Sequence, residues 1–404
     1  MTSTTQNPRS RKRTIVTGAT GLVAAGALVA GAWWGAGALF PGSASSAAAE
    51  NPVVQGRLDG LVDIGFPAAL GSLTQPDGEH DDYVAGVGNV ETGAAVPVDG
   101  EVRVGSNTKT YTAVVVLQLV EEGLVDLDSP IETYLPGLVR GEGIDASAIT
   151  VRQLLQHTSG LPNYTAGIAA EIEKLQHAYM SPRDLVDLAL AQPATGAPGE
   201  KWEYSNTNYV LLGLLIERMT ERPIFEEVTE RIIEPLGLTH TYFPTVGEEA
   251  FRGEHPTGYH VSAAGKQIDV SELDPSWGWA AGQIISTPSE LNEFMRAVVD
   301  GRLLSAESMT QMQTTVPSDE SLWPGAAYGL GLESYPLSCG GEIWGHGGDI
   351  HGFETRNGVS ENGTAFTVAV TSLPWGFIEM DADEELMEAY TAVTKTVDAA
   401  FCGD

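Results

Sequence analysis

The strongest constraint on this chain is an apolar run that begins abruptly after residue 106. A short alternating stretch, Val102-Arg103-Val104, ends at Gly105. Ser106-Asn107-Thr108-Lys109 follows, and then Tyr111, Val114, Val115, Leu117 and Val120 recur up to Gly123. That spacing predicts a helix, and Gly123 is a plausible stop. Residues three apart are neighbours on a helix surface, so Ser106 and Lys109 can meet in the first turn of a buried helix. A hydroxyl is a weak nucleophile until an adjacent base takes its proton. A lysine can be that base if desolvation or a nearby cation lowers its pKa. The helix N-terminus also favours developing negative charge. Taken alone, Ser-x-x-Lys matches many surface pairs. Here, however, only Lys109 among the lysines follows a serine by three. A cation in the first turn also opposes the helix dipole, and a residue set against a local rule is often functional.

The rest of the chain reads as strands and helices at both ends around a helical middle. Helical spacing predicts a helix over 53–72. Asp82 to Val90 and Ala94 to Val104 alternate around Glu91-Thr92-Gly93, a hairpin signal that would deliver the chain to Ser106. Residues 150–240 read as mostly helical, with helices expected over 182–190, 208–220 and 223–236. Pro288 to Val299 reads as a helix capped by Ser286 or Thr287. Short strand patterns follow at 328–332, 342–345, 352–359 and 364–373, then an amphipathic helix over 383–401. Late strands that follow one another without helices imply antiparallel pairing. The expected organisation is a sheet domain from 50–126 and 277–404, with 127–276 as an inserted helical domain. There is no G-x-S-x-G elbow, which counts against an α/β-hydrolase.

Charge narrows the function. With 21 basic and 54 acidic residues the formal net charge is −33, which disfavours nucleic-acid binding. Four of the basic residues, Arg9, Arg11, Lys12 and Arg13, precede an apolar Gly/Ala-rich stretch from Ile15 to Phe40 and a run of small residues to Ala49. Residues 1–49 therefore read as an export signal cleaved near Ala47 to Ala49, or as an uncleaved membrane anchor. In an exported protein, the two cysteines, Cys339 and Cys402, suggest a disulfide. It would stabilise the fold by about 4 kcal/mol in the chain-entropy account. Two buried free thiols are the alternative.

Two further motifs carry chemistry. Tyr204-Ser205-Asn206 sits before a helix. A tyrosine beside a lysine can lose its proton more readily and act as a base, and an asparagine can orient a substrate amide. The structural alternative is a tyrosine packed under a loop and an asparagine cap. Trp344-Gly345-His346-Gly347-Gly348-Asp349 lies on a late strand. Glycines weaken a strand unless something must approach it closely, and a substrate backbone docking on a sheet edge is one such thing. His346 could steer a proton or hold the tyrosine. A metal reading through His346, Asp349 and His351 is weak, because His346 and His351 would face opposite sides of a strand. His157 reads as structural, holding backbone groups of its loop.

Together, Ser-x-x-Lys, Tyr-x-Asn and a late His-Gly-Gly, in that order, resemble the serine penicillin-recognising hydrolases. This family includes class C β-lactamases, D-stereospecific peptidases and esterases. The resemblance runs over about residues 55–403 and is nearest to the secreted actinomycete serine D-Ala-D-Ala carboxypeptidases. It includes Val104–Lys109, Thr133–Leu138, Tyr204–Asn208, Tyr328–Leu332, Leu337–Gly340 and Phe401–Gly403. It implies an α/β, β-lactamase/transpeptidase-like fold, with a mainly antiparallel sheet flanked by helices and an all-helical insertion. It also implies that Ser106 is the acylated nucleophile, that Lys109 and Tyr204 share the acid and base roles, and that His346 belongs to the catalytic set. Asn206, Trp277, Gly347, Gly348 and Asp349 would bind substrate, the amides of Ser106 and Asp349 would form the oxyanion hole, and Cys339 would pair with Cys402.

The departures from that family bear on specificity. The carboxypeptidases usually read His-Thr-Gly-Thr where this chain has His346-Gly347-Gly348-Asp349. An arginine that binds the substrate carboxylate falls at Glu333. Two acidic side chains near the cleft point to an amine or a neutral group, and His-Gly-Gly also resembles the family's D-aminopeptidases. Arg356 could restore a carboxylate clamp if it faces inward.

The leading expectation is a secreted, monomeric D-Ala-D-Ala carboxypeptidase-like hydrolase. Its partners would be peptide or peptidoglycan substrates, with β-lactams as inhibitors. It needs no cofactor or metal, and would meet a membrane only through an uncleaved N-terminus. The rivals are a D-aminopeptidase, esterase or β-lactamase on the same machinery, and a penicillin-binding sensor without turnover.

Overall fold

The computed structural model describes residues 51–168, 172–262, 265–378 and 383–403. The export segment expected at 1–49 lies outside the described residues. A nine-stranded antiparallel sheet organises the rest. Its strands, in chain order, are β1 (Ala68–Thr74), β2 (His80–Gly86), β5 (Val316–Pro317), β6 (Ala327–Tyr328), β7 (Glu333–Pro336), β8 (Glu342–Gly345), β9 (Gly348–Ile350), β10 (Phe353–Ser360) and β11 (Ala365–Val370). The spatial order is β2-β1-β11-β10-β8-β7-β6-β5, with β9 paired to β10. Two short strands, β3 (Val102–Arg103) and β4 (Ile285–Ser286), pair separately.

The centre of the sheet, β1, β10 and β11, is buried almost throughout. Covered on both faces, β1 and β11 read as near-continuous apolar or small-residue runs, whereas β10 buries the polar side chains of Glu354, Thr355, Arg356 and Asn357. On one face lie α1 (Pro52–Ile64) and α6 (Asp383–Cys402), where Val54, Leu58 and Leu61 meet Phe366, Val368, Val393 and Val397. On the other lie α2 (Thr108–Glu121) and α5 (Pro288–Val299). There Tyr111 stacks on Phe294 at 3.5 Å between ring centroids. The helix α2 is buried nearly all round, so it can serve as the pillar between sheet and middle region. Its core continues into α3 (Pro182–Leu190) and α4 (Asn206–Thr220) through Leu154, Leu185, Leu211 and Leu215.

Two expectations change at the N-terminal end. The helix expected over 53–72 stops at Ile64, where Gly65 caps it and frees the chain to form β1. The apolar residues of 68–74 serve a buried strand, which short apolar runs cannot signal by period alone. The hairpin expected between Asp82–Val90 and Ala94–Val104 shrinks to one bridge, Asn89↔Ala94. β2 pairs instead with β1, and Val102–Arg103 pairs with β4. The middle region carries its helices between Ile131 and Leu236, with small hairpins at 140–145 and 259–269 and irregular chain between them. Thr287 is the α5 cap, accepting from the Glu290 amide. Cys339 and Cys402 are bonded, joining the β7–β8 turn to the end of α6.

Candidate active site

The nucleophile turn is held from two sides. Ser106 lies in a tight 3₁₀ turn, Gly105–Asn107, that leads directly into α2. Gly105 has φ of 51°, and a Cβ there would lie 3.0 Å from the Asp349 amide nitrogen. Only glycine meets both demands cheaply. Behind the turn, Asn107 Nδ2 donates to Thr355 Oγ1 at 2.7 Å, and Asn357 Nδ2 donates to Asn107 Oδ1 at 2.5 Å. Thr355 and Asn357 are alternate residues of β10, so one face of that strand fixes the turn.

Lys109 is fully buried. Its Nζ lies 2.8 Å from Ser106 Oγ, 2.7 Å from Asn206 Oδ1 and 2.7 Å from the Ala281 carbonyl. Burial pushes its pKa well below the usual value, while Glu333 and Asp349 pull less strongly in the opposite direction. A neutral amine has two N–H groups and one lone pair. Two acceptors and one hydroxyl match that inventory, leaving the lone pair for the serine proton.

Tyr204 departs from the expectation of an easily ionised phenol. Its ring lies 4.9 Å from Lys109 Nζ, yet burial drives its pKa well above the usual value. A hydrogen bond with Ser106 opposes that shift only in part. A lysine that is itself neutral gives little help to a phenolate, so desolvation wins. The geometry favours Lys109 as base and Tyr204 as a proton donor.

His346 is buried and holds a different tyrosine from the expected one. Its Nε2 lies 2.9 Å from the Tyr328 hydroxyl and its Nδ1 2.6 Å from the Gly347 carbonyl. With Nδ1 donating to the carbonyl, Nε2 accepts from Tyr328. Burial, with smaller contributions from Lys109 and Arg356, pushes its pKa down to about 3. It is therefore a neutral ring that ties the β8–β9 link to Tyr328 of β6. Gly348 packs so tightly that a Cβ would lie 2.0 Å from the Val104 carbonyl. This contact brings β9 against the nucleophile turn.

A cavity of about 430 Å³ opens over these groups. Ser106, Tyr204, Asn206, His346, Gly347 and Asp349 line it, together with Glu333, Arg356, Trp202, Trp323 and Tyr335. Trp277 is not among the lining residues. Its ring packs 5.5 Å from that of His351, and its carbonyl accepts from the Tyr164 hydroxyl at 2.5 Å. Trp202 and Trp323 supply the aromatic walls instead. They come from loops with no local pattern, and sequence reasoning did not single them out. Asn163 was missed for the same reason, although its Oδ1 receives the Asn206 amide at 3.3 Å. His157 is structural: Nδ1 accepts from the Ser205 amide at 3.2 Å and contacts Asn208 Nδ2 at 3.0 Å. Among the described residues no group of three or more His, Cys, Asp or Glu is placed to hold a metal ion.

The far end of the cavity is charged. Arg356 does face inward, but its Nη1 is already 2.8 Å from Asp349 Oδ1 and its Nη2 2.9 Å from Glu354 Oε1. Glu333 accepts a hydrogen bond from the Tyr335 hydroxyl. Burial raises its pKa to about 7, against that hydrogen bond and the nearby Arg356 guanidinium.

A buried Ser–Lys pair with a tyrosine beside it, on this sheet, defines a serine hydrolase of the β-lactamase/transpeptidase type. The family model described as Beta-lactamase matches residues 13–390, and the chain belongs to that family. A D-stereospecific amidohydrolase from Streptomyces sp. is 37% identical, covering 88% of this chain and 99% of its own, with a TM-score of 0.77. The D-amino acid amidase from Ochrobactrum anthropi SV3 is 28% identical, covering 86% and 96%, with a TM-score of 0.75. Penicillin-binding protein 4 of Amycolatopsis lactamdurans is 27% identical over 300 residues, 72% of each chain. PbpX of Bacillus subtilis (strain 168) is 28% identical over 271 residues, 67% of this chain but only 61% of that protein.

Proposed function

We propose that this protein is a serine amidohydrolase that cleaves the amide bond after a D-amino acid bearing a free α-amine. The observation that carries this reading is the charged end of the cleft. An entering carboxylate meets Glu333, Asp349 and a guanidinium already engaged by two carboxylates. An entering ammonium meets the same carboxylates as partners. The Streptomyces neighbour is a D-stereospecific amidohydrolase and the Ochrobactrum neighbour a D-amino acid amidase, which supports the same reading.

In this reading Lys109 takes the Ser106 proton as Oγ attacks the carbonyl carbon. The oxyanion rests on the amides of Ser106 and Asp349. Tyr204 passes its proton to the leaving nitrogen and is refilled from Lys109. Water then enters by the reverse route and releases the D-amino acid. Asn206, fixed by Lys109 and Asn163, presents its amide to the substrate. The second reading is the D-Ala-D-Ala carboxypeptidase, favoured by Arg356 at the cleft and by the penicillin-binding relatives. Export through residues 1–49 is part of the same proposal, and the Cys339–Cys402 bond fits an oxidising compartment. Parallel assays on D-alanine amide, D-Ala-D-Ala and N-acetylated D-Ala-D-Ala test the choice. Faster turnover of the N-acetylated dipeptide than of D-alanine amide would favour the carboxypeptidase.

A further inference from the structure

Strand β10 has a second face, and it carries a buried charge that the reaction does not use. Thr355 and Asn357 point to the nucleophile turn; Glu354 and Arg356, two apart, share the opposite face. Asp349 lies directly across from Glu354 in the β9–β10 register, so it shares that face too. Two carboxylates opposite one another are normally destabilising. Arg356 lies between them and contacts both. The two acids are not equivalent. The Asp349 side chain is 41% exposed at the cleft, whereas that of Glu354 is 0% exposed. Arg356 hydrogen-bonds Asp349 but meets Glu354 only as an ion pair; neither Glu354 oxygen has a hydrogen-bond partner among the described residues, and neither has the nearby Tyr390 hydroxyl of α6. Burial pushes the Glu354 pKa up, and the Arg356 guanidinium 2.9 Å away opposes that shift and holds the carboxylate form. Room for the guanidinium comes from Gly347, where a Cβ would lie 3.3 Å from Arg356 Nη1.

We infer that Glu354 is a positioning residue that sets the charge preference of the cleft end, by sharing the Arg356 charge from behind so that Asp349 at the cleft keeps negative character for a cation. Remove the Glu354 charge and the guanidinium has one carboxylate instead of two. The cleft end then becomes more positive although no group that touches substrate has changed. Specificity for amine over carboxylate is therefore set partly from beneath the sheet, by a residue without access to the substrate. This inference deepens the free-amine reading above and rests on it for the identity of the cation.

The test uses three p-nitroanilides of D-alanine, with a free amine, an N-acetyl group and an N-succinyl group, on the wild type and on Glu354→Gln. The variant is expected to raise KM for the free amine and lower it for the succinyl substrate, moving their ratio about tenfold. The expected kcat values stay within about twofold, and the acetyl substrate is unaffected. Glu354→Met removes the same charge without burying an amide and should behave alike. Glu354→Asp, keeping the charge, should restore part of the wild-type ratio. An unchanged ratio, or KM values that move together for all three substrates, would overturn the inference. So would failure of both neutral variants to fold, which would make Glu354 a structural residue. If the wild type prefers the succinyl substrate, the free-amine reading fails on its own. A ratio that still shifts toward succinyl in Glu354→Gln would then leave the role of Glu354 standing.

Discussion

The two ends of the cleft solve opposite problems. At the reacting end, burial removes charge: Lys109 is pushed toward its neutral form and Tyr204 away from ionisation. The lysine nitrogen has three fixed neighbours. At the other end, charge is retained and balanced, with Arg356 set between Asp349 and Glu354 and with Glu333 close by. The first arrangement makes a base available; the second selects what is offered to it. Chemistry and selectivity should therefore separate under mutation.

The largest effect should come from breaking the reacting end. Ser106→Ala is expected to lower kcat by at least about 10⁴-fold on every substrate, and Lys109→Met by a comparable factor. Intact-mass measurement should find no acyl-enzyme in either. Tyr204→Phe should cost about 10²- to 10³-fold in kcat with little change in KM, because it removes proton donation and leaves the cavity shape intact. Steady-state kinetics on one amide substrate checks both.

The recognition end should answer in KM. Glu333→Gln is expected to raise KM for a free-amine substrate about tenfold and to leave the N-acetyl analogue unchanged. Its pH signature follows from the raised carboxyl pKa. Glu333 is neutral below about 7 and ionised above it, so kcat/KM for the free amine should rise through about pH 7. It should fall again as the substrate ammonium deprotonates near about pH 8, and Glu333→Gln should flatten the acidic limb. The same shift favours the protonated folded state. The stability that Glu333 contributes is therefore fullest below the unfolded carboxyl value of 4.5 and is lost as pH climbs through about 7. The smallest effect serves as a control away from both ends. Thr287→Ala should cost about 1 kcal/mol of stability through loss of the α5 cap and leave all kinetic constants unchanged. Thermal unfolding measures the first and initial rates the second.

The same contrast explains what could be read from sequence. Ser106 and Lys109 are three apart, and Tyr204 and Asn206 two apart, so local geometry joins each pair and a short pattern shows it. Trp202 and Trp323 come from loops and reach the cleft only through the fold. Glu333, Asp349, Glu354 and Arg356 sit on three strands, and only the register makes them neighbours. Glu333 was visible because a family arginine is expected there, but Glu354 looked like one more strand residue. Helix ends with strong caps, such as 182–190 and 288–299, were legible to the residue. β1 was not, because a strand buried on both faces has no alternation to distinguish it from a helix. His346 was expected on a late strand and beside Tyr204; it lies in the link between β8 and β9, and its partner Tyr328 is on β6.

The most direct test of the account is kcat/KM at pH 7.5 for D-alanine p-nitroanilide against its N-acetyl derivative, two substrates that differ only in the charge presented to Glu333 and Asp349. The account predicts that the free amine is preferred by at least about tenfold, and that Ser106→Ala abolishes both activities. Equal or greater efficiency on the N-acetyl substrate would contradict it.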